Sequence, residues 1–175
     1  MGQYYSPVLV DPDTGKMTAY ELDEGYKLME HVRCGDAAVR GIMSLLEKPM
    51  RVFWMGDYAM SLPWDHNTPT GERLVHMAEA SKVADDRDAR KEIPKPVKDN
   101  ALLLNLDKQL CVVITDNWLH PLPILTACGN GNGGGDYYGT SMELVGSWEG
   151  DLLQAVDLMP DGFTPLDVAF EEERG

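Results

Sequence analysis

Apolar residues recur along this chain with two different periods, and the switches between them mark its elements. QYYSPVLVD (residues 3–11) is rich in aromatic and β-branched side chains, the composition of a pleated, half-buried surface, and predicts a strand. DPDTGK supplies turn residues, and KMTAYEL (16–22) returns as a second strand of an N-terminal hairpin. YKLMEHV (26–32) is too short to separate strand from helix. In CGDAAVRGIMSLLEKP (34–49), Val39, Ile42, Met43 and Leu46 fall at i, i+3, i+4 and i+7. Asp36 can cap this segment and Pro49 can end it, so it predicts a helix. MRVFWMGDYA (50–59) is almost continuously apolar up to Gly56, which predicts a central strand.

Beyond residue 60 the pattern is weaker. LPWDHNTPTG (62–71) reads as a loop, and ERLVHMAEASKVADD (72–86) as a helix burying Leu74, Val75 and Ala78. EIPKPVKDN (92–100) reads as extended surface chain. ALLLNLDKQLCVVIT (101–115) reads as a hairpin turning near Asn105 to Lys108. HPLPILTACG (120–129) predicts an edge strand or an extended segment, because Pro121 and Pro123 have no N–H for a central ladder. MELVGSW (142–148) predicts a last strand, and EGDLLQAVDLMPDGF (149–163) a short helix. The expected fold is α+β: a single domain over residues 1–170, with a mixed or mainly antiparallel sheet, two or three helices and an acidic tail at 171–175. Within it, residues 72–100 form a charged middle segment expected to tolerate variation.

Charge changes this picture more than composition does. The chain has 175 residues and a formal net charge of −14. Between Glu143 and Arg174 nine acidic residues meet one basic residue, whereas between Gly71 and Asn100 seven acids meet seven bases. Such a balance repels nucleic acid and anionic membrane and favours a basic partner. Three cysteines without framework spacing fit reduced thiols. No apolar run reaches the roughly 20 residues that span a bilayer. MGQYYSPVLV lacks the basic and long apolar regions of a signal peptide. It matches the myristoylation pattern M-G-x-x-x-S, but no polybasic second anchor follows. The expected location is the cytoplasm of a bacterial host cell.

CGNGNGGGDYYGT (128–140) is the densest motif. Gly129, Gly131 and Gly134 match G-x-G-x-x-G formally, yet turn and strand residues follow where a dinucleotide site needs a helix. Two readings stand. Gly129, Gly131, Gly133, Gly134, Gly135 and Asp136 either build an architectural loop or offer backbone N–H groups to an anion. His31 and Cys34 have H-x-x-C spacing and could draw in His120 and Cys128, but one close pair does not make a zinc motif, so no metal or other cofactor is expected. His120, Asp57 and Asp136 are the acid/base candidates for a hydrolase. Trp54, Tyr58 and Trp64 surround Asp57 and Asp65, the composition either of a binding rim or of a core strand.

Three stretches together, MGQYYSPV, MRVFWMGDYA and HPLPILTACGNGNGGGDYYGT followed by LVGSW, resemble a family of small uncharacterised proteins from gut bacteria and their mobile elements. Its members open M-G-Q-Y-Y and carry W-x-G-D-Y-A, H-P-L-P-L-L-T, G-N-G-x-G-G-G-D-Y-x-G and V-G-x-W. The resemblance runs from Met1 to Trp148 and departs most over Glu72 to Asn100. It implies a phage or mobile-element setting, where small acidic proteins act as counter-defence factors or regulators.

The favoured expectation is a non-enzymatic protein that sets Glu143, Glu149, Asp151, Asp157, Asp161 and Trp64 against a basic nucleic-acid-binding surface of a host effector. An anti-CRISPR-like inhibitor of a Cas nuclease is its concrete form. No direct nucleic-acid or membrane partner is expected. The alternative is a small-ligand or phosphate-binding protein, or a hydrolase, built on the loop at 129–139.

Overall fold

The computed structural model describes residues 3–22, 27–33, 36–57, 59, 72–96, 98–115, 119–129 and 137–171. Its centre is β3 (Met50–Gly56), buried from Val52 to Gly56. β1 (Tyr5–Val10) lies antiparallel along one side of it, from Tyr5↔Gly56 to Val10↔Arg51. On the other side β8 (Leu152–Val156) pairs with its start, antiparallel, and β7 (Ala127–Cys128) with its end, parallel. β1 turns back into β2 (Met17–Glu21), and β4 (Lys91–Glu92) adds to β2 in parallel. Beyond β8 come β5 (Leu102–Asn105), β6 (Leu110–Val113) and β9 (Thr164–Pro165). The strand order is β4-β2-β1-β3-β8-β5-β6-β9, with β7 attached to β3. The fold is therefore α+β, with a mixed, mostly antiparallel sheet.

Side-chain alternation along β3 divides the core in two. Val52 and Trp54 face one cluster, with Leu28 and Val32 at α1 (Leu28–His31) and Val39, Ile42 and Met43 of α2 (Ala37–Leu45). Leu122, Ile124 and Leu125 of α4 (Pro121–Leu125) complete that side. Phe53 and Met55 point the other way, onto Met77, Ala80 and Ala84 of α3 (Glu72–Asp85). Covering on both faces explains why MRVFWMG reads as an unbroken apolar run. Each large side chain buried there contributes roughly 1.5–3 kcal/mol relative to exposure. Asp36 caps α2 as its sequence predicts, accepting from the N–H groups of Ala38 and Val39 at 2.9 and 3.1 Å.

Three segments depart from their sequence patterns. HPLPILTACG is a one-turn helix followed by β7, not an edge strand. Pro121 and Pro123 occupy its first turn, where backbone N–H groups lack helical partners and their loss costs nothing. The His120 ring caps it, Nδ1 accepting from Leu122 N–H at 3.1 Å. MELVGSW is a short 3-10 turn and further turns, not a strand. Gly146 inside it adopts positive φ, as do Ser141 before it and Gly150 after it, so the backbone turns at each of these points instead of running extended. EGDLLQAV becomes β8 rather than a helix. Leu153 and Ala155 are buried while Leu152, Gln154 and Val156 are half-buried, a period of two. YKLMEHV resolves as the single helical turn α1, preceded by Lys27, whose N–H donates to the Glu30 carboxylate at 3.1 Å. Among the described residues, no helix is long and apolar enough to cross a membrane.

Candidate functional site

Two of the three acid/base candidates, His120 and Asp57, lie within the described residues. His120 is 3% exposed, and its Nδ1 is committed to capping α4. Burial drives its pKa down to about 3, against a weaker opposing field from Asp99. Asp57 sits at the surface beyond β3, exchanging hydrogen bonds with the Tyr4 backbone: its N–H donates to Tyr4 O and its carboxylate accepts from Tyr4 N–H. Among the described residues no hydrogen bond or ion pair joins His120 to Asp57. Asp136, the third member, lies outside the described residues.

The second buried histidine is part of the core. Trp54 Nε1–H donates to His31 Nε2 at 2.8 Å, which leaves Nδ1 as the protonated nitrogen of the neutral ring. Nδ1 has no well-aligned acceptor; the Lys27 carbonyl, Asp36 and Glu30 favour the charged form only weakly against burial. The pKa falls to about 4. With Nε2 already accepting from indole, His31 is poorly disposed to bind a metal. Cys128 is buried, its thiol 3.5 Å from Thr126 O, and Cys34 lies outside the described residues. Among the described residues no cluster of three or more His, Cys, Asp or Glu is placed to hold a metal ion.

The carboxylates of the last third separate into two classes. Glu149 and Asp151 are 3% and 8% exposed, which removes them from any docking face. Asp151 accepts from Asn105 Nδ2 at 2.8 Å and from the Lys108 ammonium, which also donates to Ser147 O at 3.0 Å. This network ties the β5–β6 turn to the start of β8, so Asp151 holds the fold together. Glu143, Asp157 and Asp161 are exposed, as are Asp167 and Glu171. Asp157 is bound to Lys98 at 3.0 Å and accepts from Ala101 N–H. The Lys98 ammonium holds the Asp157 carboxyl below the usual carboxylate range. Among the described residues Glu143, Asp161 and Asp167 form no ion pair.

Of the glycine motif, Gly129 lies within the described residues, while Gly131, Gly133, Gly134, Gly135 and Asp136 lie outside them, as does Trp64. At Gly129 a Cβ would stand 2.5 Å from Tyr5 Oη and 3.1 Å from the amide nitrogen of the fully buried Gln3. At Gly139 it would collide with the Glu171 carbonyl. Tyr137 Oη donates to the Thr140 carbonyl, and Phe170 packs edge-on against its ring. The described ends of the motif are thus closely packed, Gly129 against the Gln3 and Tyr5 side chains and Gly139 against the Glu171 backbone.

Sequence patterning does not expose two features. One is the Asn105–Asp151–Lys108 network, whose only trace is an Asp beside a Gly in an acid-rich stretch. The other is the turn from Asp157 to Phe163, where Leu158 is 83% and Met159 46% exposed. Comparisons with protein-family models, curated proteins and solved structures find no match.

Proposed function

We propose that this chain is a non-enzymatic interaction protein that docks an acidic surface on a basic surface of a partner protein. Effectors that hold nucleic acid in a positive channel, Cas nucleases among them, present such a surface. The observation that supports this reading is the uneven use of charge. Arg40, Lys48, Arg51, Lys98 and Lys108 are each drawn into ion pairs with carboxylates of the same chain. Glu143, Asp161 and Asp167 are exposed and, among the described residues, form no ion pair, within a net charge of −14. In the last third of the chain these carboxylates are free to attract a cationic surface over distance.

Titration with oligolysine across a salt series tests the reading. Affinity should fall by about tenfold or more between roughly 0.05 and 0.2 M salt, as the screening length shortens. Absence of binding at the low end, or affinity indifferent to salt, contradicts it.

A further inference from the structure

We infer that Met142 is an oxidation-sensitive latch: peroxide converts its thioether to the sulfoxide, and this loosens the C-terminal segment, residues 169–171, from the end of the glycine motif. The inference goes beyond the docking reading and does not depend on it. Among the described residues Met142 and Met159 are the exposed methionines, at 44% and 46%. Their sulfurs are used differently. Met142 Sδ accepts from Gly139 N–H at 3.4 Å, whereas among the described residues Met159 Sδ accepts no hydrogen bond. Met142 is thus open to a small oxidant while its sulfur holds the backbone.

What it holds is the tie between the motif and the C-terminal segment. The Glu171 carbonyl lies where a Cβ of Gly139 would stand. Next in the chain, Thr140 N–H donates to Glu171 O at 3.0 Å. The Thr140 hydroxyl donates to Ala169 O at 2.9 Å and accepts from Glu171 N–H at 2.9 Å. Phe170 is buried between these bonds, edge-on to the Tyr137 ring. Ser141, which swings the Met142 sulfur back onto Gly139, sits at φ 57°, a conformation that a non-glycine residue adopts at a cost. In the oxidation a sulfur lone pair attacks one peroxide oxygen and the O–O bond breaks. The departing oxygen takes the proton of the transferred one and leaves as water, so sulfur loses two electrons and peroxide gains them. A sulfoxide sulfur is positively polarised and no longer accepts from N–H. If the new oxygen forms on the Gly139 side, it takes the N–H only by pushing the sulfur away. Either epimer therefore breaks the contact one residue from Thr140, and the strained turn at Ser141 is free to relax.

The experiment treats the whole chain with mild hydrogen peroxide, maps oxygen uptake by peptide mass spectrometry, and follows amide exchange at Thr140 and Glu171. Met142 and Met159 should each gain one oxygen. Exchange at Thr140 and Glu171 should then quicken about threefold or more, the scale of one lost hydrogen bond, while the amides of β3 stay protected. Met142→Leu should show no peroxide-dependent change at these two amides, although Met159 still oxidises. Met159→Leu should respond as the parent does. Both methionines are exposed, so circular dichroism should report an unchanged fold in each untreated variant. Three results overturn the inference: Met142 staying reduced while Met159 oxidises, exchange that is unchanged or slower once Met142 is oxidised, or a response that persists in Met142→Leu.

Discussion

The Trp54 indole donates to His31 Nε2 across 2.8 Å inside the core, and this bond exists only while the imidazole is neutral. His120, capping α4 with Nδ1, is under the same constraint. Their pKa values, about 4 and about 3, lie below the ordinary 6.5, so between these limits the unfolded chain binds protons that the folded chain refuses. Stability is then complete above about pH 6.5 and falls as pH drops towards 4, with a slope approaching 1.4 kcal/mol per pH unit for each histidine. Urea midpoints measured from pH 7.5 to 4.5 should show this decline. His120→Asn keeps a capping side chain and should remove about half the slope; an unchanged slope would show that His120 titrates normally.

Asp151 and Asp161 are both aspartates of the acidic last third, yet they should respond differently to truncation. Asp151→Ala leaves Asn105 and Lys108 without their shared acceptor and should cost about 1–3 kcal/mol. Asp161→Ala should stay within about 0.5 kcal/mol of the parent. Denaturant unfolding of the two variants side by side checks the difference, and equal costs would place both residues on the surface.

At the described ends of the glycine motif, close approach sets the requirement. Gly129→Ala should destabilise the fold by about 1–3 kcal/mol, because the new methyl meets the Tyr5 hydroxyl. Adding Tyr5→Phe removes that oxygen, so the two changes should be less than additive in a double-mutant cycle. Gly139→Ala faces a backbone carbonyl instead and should have no such side-chain rescue. Additive costs at positions 129 and 5 would place the Tyr5 hydroxyl elsewhere.

Much of the sheet was legible because its strands carry their environment in their own residues. MRVFWMG could only be a strand covered on both faces, and QYYSPVLV with KMTAYEL could only pair around DPDTGK. The α2 boundary followed from Asp36 in the same way. What misled were residues whose meaning depends on position. Proline argues against a central strand, but Pro121 and Pro123 argue equally well for the first turn of a helix once His120 supplies the cap. Leu152 to Val156 fits a helix or a strand until neighbouring β5 and β3 decide it. The acidic surface was legible as a total and not residue by residue. Glu149 and Asp151 look like their neighbours in sequence, but the turns at Gly146 and Gly150 carry them inside.

The most direct measurement of the docking claim separates the location of charge from its amount. Glu143, Asp161 and Asp167 changed together to Lys take the net charge from −14 to −8, since three reversals add six units. Asp85, Asp86 and Asp88, exposed at and beyond the end of α3, take it to the same −8 when changed to Lys. Cations there also suit the helix C-terminus, so the fold should tolerate them. Association rates with oligolysine at low salt should fall about tenfold or more in the first variant and by a much smaller factor in the second, because steering is set by the local field at the docking face. Equal losses in the two variants would show that net charge alone attracts the cation, and that no acidic docking face exists.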